Sequence, residues 1–246
     1  MQKMQKLTYF LLILVLGTIG LVYTRHTQVT ATKDNKDPQR EEVKRHFPTA
    51  DYDEADLGDP EKDRIRKEKQ KRHNGFKIVG SKPADWETEV VFIGEGTFNF
   101  PALPGTQSDF VLIGTVTDAQ AHLSENKKNV YSEFTISVAD VLKTANSSVT
   151  TGAVVTIYRN GGFVKYPTGR TILCRISGSN MPKLNGKYVF FLKSKGEDSL
   201  ILTAYELTEK GVLPLDDSPQ FEPFRGVNED TFLQTLRDSL AKSSPN

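Results

Sequence analysis

Cysteine is nearly missing from this chain: Cys174 is the only one in 246 residues. A lone thiol excludes an intramolecular disulfide and any zinc site built on cysteines. Histidine is almost as scarce, with His26, His46, His73 and His122 alone. The first three are scattered through a charged stretch at intervals that suit no metal site. His122 stands beside a predicted loop over residues 124–129 and reads as a surface or loop residue, since no partner for a zinc site or a Ser-His-Asp arrangement is singled out. An excess of positive charge is missing as well. Residues 76–246 carry 17 Lys/Arg against 19 Asp/Glu, which leaves no electrostatic footprint for nucleic acid. Adjacent acids do occur, as Asp216-Asp217 and Glu197-Asp198. In turns they point to solvent, whereas glycosidase chemistry needs two carboxyls facing across a cleft. No cofactor is expected.

Long apolar runs are also lacking, with one exception. Residues 7–23 read LTYFLLILVLGTIGLVY without a charge, with Lys3 and Lys6 before and Arg25 after. As a helix at about 1.5 Å per residue the run spans roughly 25 Å, the short end of a bilayer crossing. It is read as an N-terminal membrane anchor or signal segment, residues 1–23. Val29-Thr30-Ala31 would serve as a small-residue cleavage site, and cleavage would make the protein secreted. The nearby cations favour the amino terminus inside and the folded bulk outside, periplasmic or extracellular.

Residues 24–75 carry 13 Lys/Arg and 12 Asp/Glu, few apolar side chains, and Pro38, Pro48 and Pro60. Such a stretch cannot bury enough surface to offset its chain entropy, so residues 24–80 are predicted to be a charged linker, disordered or partly helical. Its charges are sorted into an acidic block ending at Asp63 and a basic block from Arg64 to Arg72. The blocks suit a solvated spacer, or a basic contact with anionic lipid or polymer.

Residues 81–246 read as strands. Val130, Ser132, Phe134, Ile136 and Val138 alternate with Tyr131, Glu133, Thr135 and Ser137, the period of a half-buried strand. Phe110-Val111-Leu112-Ile113 is apolar on both faces and should be covered on both. Further strands are predicted over 153–159, 171–177, 188–193, 200–207 and 212–215, with an edge strand over 89–93. In the second of these, Ile172, Cys174 and Ile176 share a face, which makes Cys174 a core residue. Seven or so short strands without long intervening helices argue for a mainly β, antiparallel barrel or sandwich. One helix is predicted at the end. Asn228 can cap it, and Phe232, Leu236 and Leu240 form its apolar stripe, which should lie on the barrel.

The segments SDFVLIGTVT (108–117), YSEFTISVADVLK (131–143), VVTIYRNGG (154–162) and GKYVFFLKSK (186–195), followed by a terminal helix, together resemble the netrin-like branch of OB-type barrels. That branch includes the tissue inhibitors of metalloproteinases, and exported bacterial proteins show a similar strand order. The resemblance covers about half the chain and implies an OB/netrin-like barrel. Netrin-like inhibitors are laced by disulfides and chelate the protease zinc through an amino-terminal cysteine. This chain has no cysteine in that place, so the resemblance does not extend to inhibition.

Residues 160–170, NGGFVKYPTGR, set Phe163, Lys165, Tyr166 and Arg170 between two strands. Aromatics and Arg beside a rigid Pro are what protein contact sites use, so these four are the candidate partner-binding residues. The expectation is a membrane-anchored, exported, non-catalytic binding or adaptor module, recognising a protein or a surface polymer through barrel loops. A hydrolase-type enzyme with a site assembled from scattered residues stays open beside it.

Overall fold

The computed structural model describes residues 47–55, 57–75, 90–92, 99–145 and 149–243, the stretch 90–92 by its backbone alone. The apolar run 7–23 and the first part of the linker lie outside them. Among the described residues no helix is long and apolar enough to cross a membrane.

In chain order the elements are β1 (Thr49–Asp51), α1 (Pro60–Arg72), β2 (Val90–Phe92), β3 (Phe110–Leu123), β4 (Val130–Thr144), β5 (Val154–Asn160), β6 (Gly162–Lys165), β7 (Thr171–Ile176), β8 (Lys187–Lys195), β9 (Asp198–Thr208), β10 (Gly211–Pro214) and α2 (Glu229–Ser243), with a 3-10 turn at Glu222–Phe224 before α2. The protein is mainly β. Strands β3, β4 and β5 form an antiparallel meander, β8 returns antiparallel to β3, and β9 pairs antiparallel with β8. β9 also meets β5 in parallel, at Tyr158 and Leu200. The order β3–β4–β5–β9–β8 therefore returns to β3 and closes a ring of five strands, with β10 added on β9.

Closing a sheet needs sharp local bending, and β3 supplies it. Its register on β4 shifts at three places, one of them between Ile113 and Gly114. A Cβ at Gly114 would come within 2.4 Å of Ile136 Cγ2 and 2.8 Å of the Ser137 carbonyl oxygen, so only glycine lets the two strands approach there.

Alternation sorts the side chains into layers. Leu112, Val116, Phe134, Ile136, Ile157, Phe190, Leu192, Ile201 and Ala204 come from all five ring strands and fill the interior. Val111, Ile113, Val189, Phe191, Tyr205 and Leu207 stand on the outer face of β3, β8 and β9. Here α2 lies, with Phe232 and Leu236 fully buried. Each such side chain contributes about 1.5–3 kcal/mol of burial. Asn228 caps α2 as expected: the amides of Asp230 and Thr231 donate to its Oδ1 at 2.9 and 3.4 Å. The apolar stripe covers a face of the ring.

A second, four-stranded sheet runs β1-β6-β7-β2, with the inner pair antiparallel and both outer pairs parallel. One of its sides adds Phe163 and Leu173 to the ring's core, and the other packs Val164, Ile172 and Cys174 with Leu123 and Val130 of the β3–β4 hairpin. The chain enters this sheet through Gly161 and Gly162, at φ 119° and 149°. A side chain at Gly162 would press on Ser132 Oγ at 3.0 Å and on the Pro48 carbonyl at 3.2 Å.

Two sequence expectations meet a different structure here. Residues 160–170 hold the strand β6 where a loop was expected. The described part of the 24–80 segment, 47–55 and 57–75, holds a thirteen-residue helix, in keeping with partial helicity, but also a strand paired with β6 that was not expected. Phe47 and Ala50 from that stretch are buried, so local charge density did not keep it in solvent.

Candidate functional site

Helix α1 is built from local signals without any apolar stripe. Asp59 caps it, its Oδ1 accepting from the amides of Glu61 and Lys62, and Pro60 opens the first turn. Glu61 and Asp63 sit at the positive end of the dipole, and Lys69, Lys71 and Arg72 at the negative end. Arg64 donates to Glu61 and Glu68 on the same surface. The helix thus begins in the last acids of the acidic block, Glu61 and Asp63, and runs through the basic block from Arg64 to Arg72. None of its thirteen residues is buried.

What α1 touches is the outer face of β4 and β5 and the two turns beside it. Lys69 Nζ lies 2.7 Å from Glu133 Oε1 on β4. Arg72 Nε donates to Asp198 Oδ2 at 2.8 Å, where β9 begins, and Arg72 also faces Glu197 at 3.4 Å. Asn74, just past the helix, donates to Glu125 Oε2 and accepts from the Asn126 amide, both at 3.0 Å. His73 is the deepest contact. Its ring stacks on Tyr131 at 3.6 Å between centroids and 15° between planes, and it meets the edge of Tyr158 at 4.6 Å. His122, on β3, leans on the same Tyr131 with its Nδ1 3.9 Å from Glu54 and its Nε2 4.0 Å from Glu133.

Burial sets the electrostatics of this face. His73 is 7% exposed, and that desolvation pushes its pKa down to about 4, although Asp198 and Glu133 pull the other way. The imidazole is neutral at pH 7. The phenols of Tyr131 and Tyr158 are pushed up, Tyr158 to about 12, again by burial first, so both stay protonated. The Glu54 carboxyl is held below its ordinary value by His122 first and by Arg66 as well. Among the described residues, His73 Nε2, His122 Nδ1 and Asn129 Oδ1 are buried polar atoms that lack a hydrogen-bond partner. All three lie beneath or beside α1. Among the described residues no three His, Cys, Asp or Glu side chains converge as metal ligands.

The four partner-binding residues expected from the sequence are placed otherwise. Phe163 is 6% exposed and packs edge-on against Phe47 at 6.1 Å, and Tyr166 is 6% exposed and stacks on Tyr52 at 4.9 Å. Both are core side chains, because β6 turns Phe163 toward the ring and its neighbour Tyr166 toward the β3–β4 hairpin. Lys165 is exposed, and Arg170 is half-buried. The acids expected to face solvent also need correcting. Asp216 is fully buried, accepting from Arg159 Nη2 and Thr203 Oγ1, each at 2.8 Å, and from the Asn180 amide at 3.2 Å. This pair ties β5 to β9 and to the stretch after β10. Burial also raises the Cys174 thiol to about 12, which agrees with the core role expected for it. His122 belongs to β3 and is largely covered, not a loop residue, and His73 belongs to the folded part. The sequence signal for the site was Asp59-Pro60-Glu61, a helix start set before sorted charges. No protein-family model matches the chain, and no curated protein matches it.

Proposed function

We propose that the chain is a non-catalytic binding or adaptor module, held at a membrane by residues 7–23 with its folded part outside. In this reading the ring is an OB-type barrel of the netrin-like kind, and the partner is an exported protein or a surface polymer. The contact surface is the outer face of β4 and β5 with the turns 124–129 and 196–197, not the 160–170 segment. The observation that carries the reading is the kind of cover on that face. Two tyrosines, His122, Asn129 and several carboxylates lie under a helix that contributes no buried residue of its own. OB-type barrels bind ligands on their second and third strands and the adjoining loops, and β4 and β5 hold those places in the ring.

The test is crosslinking of the tagged full chain in intact cells, against a variant carrying Glu125→Lys and Glu197→Lys. Both residues are exposed on the rim turns, so the fold is spared. A recurrent partner captured by the native chain and lost by the variant is the expected result. A partner retained by the variant would place the contact elsewhere, and no partner at all would sink the binding reading.

A further inference from the structure

Helix α1 has the marks of an occupant. It is held by charge pairs at the rim, by Asn74 in the 124–129 turn, and by one imidazole inserted over Tyr131. The basic partners are partly open, Lys69 at 30% and Arg72 at 37%, while Glu133 and Asp198 are largely covered. Two such pairs give about 1 kcal/mol each, so the dock is shallow beside a packed apolar face. The fit is also incomplete, since Asn129 Oδ1 and His122 Nδ1 find no donor or acceptor in the cover they are given. Asn129 is fully buried, which makes an unanswered amide oxygen there costly. A ligand that reproduced the Lys69, Arg72 and His73 contacts and brought a donor to Asn129 would fit this face better than α1 does.

The face specifies the chemistry of that ligand. Glu125, Glu133, Glu197 and Asp198 surround the paired rings of Tyr131 and Tyr158 with negative charge. The side chains that fill it now come from positions i, i+3 and i+4 at the end of one helix, a Lys, an Arg and a neutral His. Resting on the binding reading above, we infer that this face receives a basic helical segment of a protein partner. In the free protein α1 is its resident occupant, and the partner's segment takes the place of Lys69, Arg72 and His73. The resident lowers the apparent affinity by the fraction of molecules whose face is open, and weakening the resident raises it.

The experiment uses the purified full chain and a fluorescent synthetic peptide of residues 61–75, read by anisotropy. Native protein is compared with Arg72→Gln, a change at a partly exposed side chain that leaves the core untouched. Arg72→Gln should bind the peptide about fivefold more tightly than the native chain, the size of one lost rim pair. A peptide with Ala at the positions of Lys69, Arg72 and His73 should not bind. A photoreactive group at the position of His73 should label β4 or β5. Equal affinities for the two proteins, binding of the Ala peptide, or a label elsewhere would each overturn the inference. If the peptide fails while cell crosslinking still yields a partner lost on reversing Glu125 and Glu197, the binding reading stands and only this inference falls. If both fail, the reading falls with it.

Discussion

Helix α2 buries Phe232 and Leu236 completely on the outside of β3, β8 and β9, whereas α1 buries none of its residues on the outside of β4 and β5. Both are good helices by local criteria, with a side-chain cap and acids in the first turn. They differ in what attaches them. Apolar burial is insensitive to salt and hard to exchange, while charge pairs at a wet rim are screened within about 10 Å at ordinary ionic strength. One ring thus carries a permanent cover and a releasable one. The distinction is written in side-chain chemistry rather than in secondary structure.

The comparison breaks most decisively at Leu236. Leu236→Asp puts a charge into a sealed apolar layer and should cost more than about 5 kcal/mol, leaving the domain unfolded at 25 °C. Ile65→Asp on α1, where the side chain is 53% exposed, should leave the denaturation midpoint unchanged. Equal effects of the two substitutions would erase the difference between the helices.

A second contrast sets a buried ion pair against the rim pairs. Arg159→Ala strands the carboxylate of Asp216 in the interior and should destabilise by about 3–5 kcal/mol in urea titration. Lys69→Ala, at a pair whose lysine is 30% exposed, should cost no more than about 1 kcal/mol. A large loss at Lys69 would mean that α1 is bound far more firmly than its contacts indicate.

The third sharpens the role of His73. In the unfolded chain this imidazole titrates near 6.5, and in the fold burial holds it to about 4. Between those values the unfolded chain carries a proton that the fold excludes. Stability from this group is therefore complete above pH 6.5 and falls as pH drops toward 4, by about 3 kcal/mol in all. His73→Phe, which keeps a ring over Tyr131, should flatten the melting temperature between pH 7 and 4.5. An unchanged slope would assign the acid sensitivity to other groups.

The smallest effect is in exchange rates. Raising sodium chloride from 0.05 to 0.5 M should speed amide exchange in α1 severalfold and leave α2 unaltered, as local opening without global unfolding does. Uniform protection of both helices at high salt would speak against a releasable α1.

The sequence was most legible where burial is repetitive. The alternation from Val130 to Val138 and the doubly apolar run from Phe110 to Ile113 both lie in strands of the ring, and the α2 stripe docks as its spacing foretold. Residues 160–170 misled because Gly161-Gly162 and Pro167 are turn signals, yet a four-residue strand runs from Gly162 to Lys165, and both Phe163 within it and Tyr166 just after it are buried. Helix α1 was foreseen only as partial helicity of a linker, and its docking was hidden for a different reason. With no apolar period it offers no pattern, and its docking depends on partners far along the chain, Arg72 and Asp198 being 126 positions apart. Asp216 shows the same limit: only the ring brings Arg159 beside it.

The closure of the ring also sets an order of assembly. Strands β3, β4 and β5 can pair as they emerge from the ribosome. The free side of β3 waits for β8, and the seam between β5 and β9 waits for Leu200. Until then the apolar edge of β3 stands open, a state long-range strand pairing makes slow and prone to association. Helix α1 needs Glu133 from the early strands and Asp198 from the late ones. Made before any ring strand, it is the element that must wait longest for its seat.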